Sequence, residues 1–309
     1  SIRSIACYCL GKALKSRTFV SDYSFDFGAR KRDFGWSPFE GERGDWFEKF
    51  INLAIRVAGD LLAILPEVKS ILADRFRDLW EVAEKAEGVK EKLRCAAERF
   101  SETGWEEGWV AIRVTIRFDR EKMGEESRNA LLALDRLTSP KDLLSRMRVL
   151  VRGNHLVWDI FGGEDSSGWD PDADRVAQKL GQELAQKADL LHEAAHLLTG
   201  PDAVSSTYDV GKGLASYVLD MENVWWILVG RFMSWQERKR NPFALKGYLE
   251  GVFERDVRLS NKLLNEAVEK PELRKYVPFL QSRFPLDDQG CSRLLVLMKR
   301  ADVGAMSFL

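Results

Sequence analysis

The sequence predicts an all-α fold, an α-solenoid-like array of antiparallel helix hairpins, and three observations carry that expectation. Apolar residues recur at three- and four-residue steps along most of the 309 residues, the period of a helix with one buried face. The segments with this period are short, roughly 10–18 residues, and their joints are often a single Asp, Pro or Gly of the kind that caps or opens a helix. Short joints between short helices favour antiparallel neighbours in a row, each pair burying its apolar face against the next.

The elements follow in order. IACYCLGKAL opens the chain as an apolar helix with small residues. In DWFEKFINLAIRVAGDLLAILP, Trp46, Phe47, Phe50, Ile51, Ala54, Ile55, Ala58, Leu61, Leu62 and Leu65 form the stripe of a buried helix, with Asp45 as N-cap and Pro66 at its end. EVKSILADRFRDLWEVAEKAEG repeats the pattern through Ile71, Leu72, Phe76, Leu79, Trp80 and Val82, with Gly88 as C-terminal stop. Further helices are expected in EKLRCAAERF, GEESRNALLALDRL, PKDLLSRMRVLV, DADRVAQKLGQELAQ, DLLHEAAHLL, VGKGLASYVLDM and ENVWWILVGRFMSWQERKR. The last third continues with NPFALKGYLEGVFER, DVRLSNKLLNEAVEK, PELRKYVPFLQSRF and LDDQGCSRLLVLMKR.

One segment departs from the pattern. In GWVAIRVTIRFDR, Val110, Ile112, Val114, Ile116 and Phe118 alternate with other residues at a strand's period. A lone strand leaves its backbone hydrogen bonds without a partner, and no second strand accompanies it. Helix is therefore preferred, with a small β insertion near 109–119 as the alternative. Two parts are expected: a helical part over 1–100 with a long loop at 17–45, and a helical-repeat array over 101–309. No strict period emerges, so the repeats, HEAT- or TPR-like, are degenerate.

Composition narrows the function classes. Lys and Arg total 47 against 48 Asp and Glu, so no broad basic field attracts phosphate backbones and nucleic acid is not the expected partner. No stretch reaches the roughly 20 apolar residues of a membrane span, and no signal-peptide layout opens the chain. The four cysteines, Cys7, Cys9, Cys95 and Cys291, form no framework of paired spacings, which fits a reducing, cytoplasmic setting. The chain begins without Met and stops at GAMSFL, which reads as a fragment of a longer polypeptide.

ADLLHEAAHLLTG contains two of the three histidines in the zinc-peptidase pattern H-E-x-x-H. On a helix His192 and His196 share one face, and Glu193 stands where a general base polarises metal-bound water. A third ligand is needed, and Glu222 is the one downstream nominee; His155 lies upstream in GNHLVWD. Against the peptidase, Leu190, Leu191, Ala194, Ala195, Leu197 and Leu198 make a complete apolar stripe, which leaves the histidines on a solvated shoulder. No β-sheet edge is foreseen to align a substrate. The preferred reading has no metal and no cofactor; zinc held by His192, His196 and Glu222 with Glu193 as base is the alternative.

Other candidates weigh less. Asp170, Asp172 and Asp174 match three positions of a calcium loop, but Arg175 replaces its glycine and Gly181 its final Glu. Arg238, Lys239 and Arg240 sit where they complement a helix C-terminus. No Walker, Rossmann or nucleophile-elbow pattern occurs. The long loop carries Tyr23, Phe25, Arg30, Lys31, Arg32 and Trp36, residue types that dominate binding hot spots. Folding back over the first helices is the preferred reading; the alternative is that part of it contacts a partner or a neighbouring domain.

The succession from GWEEGWVAIRVTIRFDREKMGEE through VAQKLGQELAQKADLLHEAAHLLTG and VGKGLASYVLD to LKGYLEGVFERDVRLSNKLLNEAVEK resembles the helical-repeat region of large bacterial STAND-class P-loop NTPases of anti-phage defence, some with a Sir2-like effector. The resemblance covers roughly residues 100–309 and implies a sensor and assembly surface, with ATPase and effector elsewhere in the polypeptide. The resulting expectation is a non-catalytic protein-recognition or scaffold module of a multidomain bacterial protein, binding a protein or its own neighbouring domains; the alternative is a zinc metallopeptidase.

Overall fold

The computed structural model describes residues 2–16, 40–152 and 172–300. Sixteen α-helices and short 3₁₀ turns build these residues, and no strand occurs among them. The expected all-α array of neighbouring helices is the observed architecture. Contacts divide the chain into two compact units, Ser1–Lys141 and Asp142–Leu309.

The first unit contains α1 (Ile2–Ala13), α2 (Glu40–Asp60), α3 (Leu65–Ala83), α4 (Glu87–Ser101), α5 (Glu106–Asp119) and α6 (Glu125–Thr138). α1 packs on α3 and α3 on α5, while α2 packs on α4 and α4 on α6. Each layer thus takes every second helix, the arrangement that stacked hairpins produce. Between the layers lie Phe47, Ile51, Phe76, Phe100 and Trp105, all essentially inaccessible. Burying side chains of this size stabilises by about 1.5–3 kcal/mol each.

Several boundaries differ from those read in the sequence. α2 begins at Glu40, which places Asp45 inside the helix rather than at its cap, and it stops at Asp60. Pro66 opens α3 instead of closing α2, because a proline in the first turn has no intrahelical hydrogen bond to lose. Gly88 lies in the first turn of α4 and is not a stop. The division expected at residue 100 falls inside a shared core, since Trp105, Ile112 and Leu131 pack with Phe76 and Phe100; the units separate after Lys141.

The segment with strand-like alternation is helical throughout, as α5. Its buried residues Trp109, Ile112 and Thr115 share one helical face, and Phe118 is left 45% exposed. Gly104, at φ 76°, turns the chain between α4 and α5 in the left-handed region that glycine adopts without strain. That turn places Trp105 edge-on to Phe100, at 5.3 Å between ring centroids. The Trp105 indole N–H donates to Lys69 O at 3.1 Å, and Lys69 Nζ donates to Thr103 Oγ1 at 2.7 Å and to Gly104 O.

The second unit contains α7 (Leu143–Arg152), α8 (Asp172–Ala185), α9 (Leu191–Leu198), α10 (Thr207–Tyr217), α11 (Met221–Ser234), α12 (Phe243–Arg255), α13 (Val257–Glu269), α14 (Pro271–Arg274), α15 (Val277–Gln281) and α16 (Asp288–Met298). α7, α9 and α11 form one layer, and α8, α10, α12 and α15 the other. The second layer's helices begin at Asp172, Thr207, Phe243 and Val277, about 35 residues apart, a spacing common in helix-pair repeats. Trp225, Phe232, Tyr248, Leu214 and Leu245 fill the space between layers. Aspartates cap the starts of α13 and α16, where Asp256 accepts from Leu259 N and Asp287 from Gly290 N.

Candidate functional site

The best-organised surface of the second unit begins with glycines inside helices. A Cβ at Gly213 on α10 would lie 2.0 Å from Gln178 O on α8, and one at Gly181 on α8 would lie 2.1 Å from Val210 O on α10. The same reciprocity joins α10 to α12, where a Cβ at Gly211 would meet Ala244 O at 2.2 Å and one at Gly247 would meet Tyr208 O at 1.8 Å. These helices touch backbone to backbone, closer than helices separated by larger side chains.

Close approach brings together polar side chains that spacing alone would leave apart. Gln178 Nε2 donates to Asp209 Oδ1 at 3.1 Å. The Tyr208 hydroxyl donates to Glu250 Oε2, and Lys212 Nζ reaches Glu250 Oε1 at 3.0 Å and Glu254 Oε1 at 2.7 Å. Val210 and Leu214 of the same helix face the core, so Tyr208, Asp209 and Lys212 occupy its opposite side. Gln178, Asp209 and Glu250 therefore form one polar row across α8, α10 and α12.

Charge in this row is held by partial burial and by partners. Burial, only partly offset by the Gln178 bond, raises the Asp209 carboxyl from 3.8 to about 6. Burial also raises the Tyr208 hydroxyl, and its bond to Glu250 adds to the effect. For Glu250, burial opposes ionisation, but the bonds from Tyr208 and Lys212 outweigh it and its value is lowered. Lys246, over the Phe279 ring at 4.2 Å, is lowered by burial and by the Arg283 charge.

The H-E-x-x-H residues lie on α9, in the other layer. His192, Glu193 and His196 are all exposed, the solvated shoulder expected from the stripe. The His196 ring stacks on Trp235, with centroids 4.2 Å apart and planes 18° apart. Glu193 Oε1 accepts from Arg148 Nη2 at 2.9 Å. Glu222 lies in the first turn of α11, where Lys262 Nζ approaches both its carboxylate oxygens at 2.6 and 2.8 Å. Trp235 follows the other end of α11, about 18 Å of helix away from Glu222. The His196 stack and Glu222 are thus at opposite ends of α11, and no group of three His, Cys, Asp or Glu is placed to hold a metal ion among the described residues.

The other sequence candidates divide. Tyr23, Phe25, Arg30, Lys31, Arg32 and Trp36 lie outside the described residues, as do His155 and Asp170. Asp174 is exposed on α8, near Asp209. Arg240 donates to Trp235 O at 3.0 Å and to Met233 O at 3.1 Å, at the C-terminus of α11. Cys7, Cys9, Cys95 and Cys291 are free thiols. Among the described residues no helix is long and apolar enough to cross a membrane.

No family model, curated protein or solved structure matches the chain. The row across α8, α10 and α12 was not singled out in the sequence. Its signal was present as Gly181, Gly211, Gly213, Gly247 and Gly251 inside helical patterns, where a glycine costs about 1 kcal/mol unless close packing requires it.

Proposed function

We propose that this chain is a non-catalytic recognition or scaffold region, and that its working surface is the polar side of α8, α10 and α12. The supporting observation is the run of backbone contacts at Gly181, Gly211, Gly213 and Gly247, which holds side chains of three successive hairpins in fixed register. A surface prepared in this way gives up little conformational entropy when a partner docks. The partner is another protein or a neighbouring part of the same polypeptide. The setting is cytoplasmic, in a large bacterial defence protein of the STAND class.

Carboxylate footprinting tests the reading. In the isolated chain, a carbodiimide and an amine should label the exposed Asp174 and Glu254. In the longer polypeptide that carries this region, both should be labelled at least threefold less, while Glu98 in the first unit is labelled as before. Equal labelling of Asp174 and Glu254 in the two preparations rejects docking of this face on a neighbouring part of the same polypeptide. Metal analysis of the same preparations, with His196→Ala as control, addresses the zinc peptidase: stoichiometric zinc that the substitution removes would replace the scaffold reading.

A further inference from the structure

The fold leaves a like-charged pair at each end of the polar row. At one end Asp174 of α8 and Asp209 of α10 are close enough for the first charge to act on the second. The one side chain that donates to Asp209 among the described residues is the neutral amide of Gln178, at 3.1 Å. At the other end Lys246 of α12 lies close enough to Arg283, just past α15, to feel its charge. Lys246 Nζ sits 4.2 Å from the centroid of the Phe279 ring, which meets Phe243 edge-on at 5.4 Å. A ring holds an ammonium in place without neutralising it. None of these four charges forms an ion pair among the described residues.

Between the two pairs the charges are already matched. Glu250 accepts from the Tyr208 hydroxyl and from Lys212, and Lys212 also reaches Glu254. Like charges held side by side repel, so each end is relieved by an opposite charge from outside. A polyanion such as nucleic acid suits Lys246 and Arg283 but is repelled by Asp174 and Asp209, and a polycation meets the reverse obstacle. Only a partner of mixed charge suits both ends. The pairs lie on either side of the contact between α10 and α12, which Gly211 and Gly247 make backbone to backbone. Packed helices are about 8–10 Å apart, and an extended chain advances about 3.3 Å per residue, so roughly three to five residues bridge the two ends.

We propose that this face takes an extended peptide segment of mixed charge, with a Lys or Arg against Asp174 and Asp209 and an Asp or Glu against Lys246 and Arg283. The inference rests on the recognition function proposed above and supplies the chemistry of its partner. Arg283 also acts on Tyr208 and Glu250, which places it on the same side of the layer as the row.

The test pans a display library of random linear peptides on the whole chain. Enriched sequences should pair a basic and an acidic residue at the spacing given above, and a synthetic copy should bind more weakly as salt is raised. Reversing the acidic residue of that peptide should weaken binding to the wild type at least tenfold but to Arg283→Glu less than threefold. Reversing its basic residue should show the same contrast between wild type and Asp174→Lys. Both substituted positions are exposed, so both variants should melt as the wild type does, and the contrast isolates direct contact between charges. No enrichment, enrichment without the charge pair, or equal losses in wild type and variant would each overturn the inference. Peptides that lack the charge pair yet shield Asp174 and Glu254 from carbodiimide would overturn it too, while leaving the α8, α10 and α12 face as the working surface.

Discussion

At the scale of single residues, Asp209 shows how packing alters chemistry. Its carboxyl lies against Gln178 of α8, with Asp174 of the same helix, Lys212 of α10 and Glu250 of α12 as the surrounding charged groups. An acid raised from 3.8 to about 6 binds its proton more tightly when folded, so the folded state loses stability as pH rises through that window. Asp209→Asn retains an oxygen for Gln178 and removes the buried charge. At pH 7.5 it should stabilise the second unit by about 1 kcal/mol, allowing for solvent screening of a partly exposed group. By pH 4.5 most of that gain should be gone, because Asp209 is then protonated in the folded wild type. Thermal melts of both proteins at the two pH values read the difference, and a gain of equal size at both rejects burial of charge as the cause. His196 illustrates the same dependence on neighbours: its ring covers Trp235, a contact that two histidines four residues apart do not foretell.

At the scale of elements, the glycine contacts determine which helices are neighbours. Gly213→Ala and Gly247→Ala place a methyl group about 2 Å from a carbonyl oxygen of the adjacent helix, where only a shift of backbone relieves the clash. Each should destabilise by about 2–3 kcal/mol. Gly230 on α11 faces open space, with nothing within 4 Å of the position a methyl group would take, so Gly230→Ala should stabilise by about 0.5–1 kcal/mol. Chemical denaturation of the three variants checks the contrast, and similar effects at all three positions would dismiss the close approach. Helix identity was legible because apolar period survives in every element, including α5, where Trp109, Ile112 and Ile116 recur at three- and four-residue steps beneath the alternation. Boundaries were less legible: Pro66 and Gly88 are compatible with an end or a beginning, and only tertiary packing decides between them. The polar row was not legible because Gln178, Asp209 and Glu250 are distant in sequence and meet through glycines whose role appears only once two helices touch. The pattern at His192, Glu193 and His196 was fully legible as letters, but position along α11 is what separates it from Glu222.

At the scale of the whole molecule, stability in stacked hairpins is a sum of local terms and interfaces between neighbours, so damage to one hairpin fades with distance along the array. The two units have separate apolar cores, one from Leu14 to Leu134 and the other from Leu143 to Leu297, with no residue in common. Phe76, fully buried in the first core, offers the sharpest perturbation: Phe76→Ala should cost the first unit about 3–5 kcal/mol. Native-state hydrogen exchange should then show faster exchange for amides of α3, α4 and α5, with protection in α10 and α12 unchanged. If α10 and α12 lose protection by the same free energy, the chain unfolds as one cooperative body and the local accounting is wrong. If they keep it, Asp142–Leu309 contains enough buried surface to fold by itself. That unit expressed alone should then give a helical circular dichroism spectrum and one cooperative melt, because its two layers of helices complete each other's apolar faces without residues from the first core.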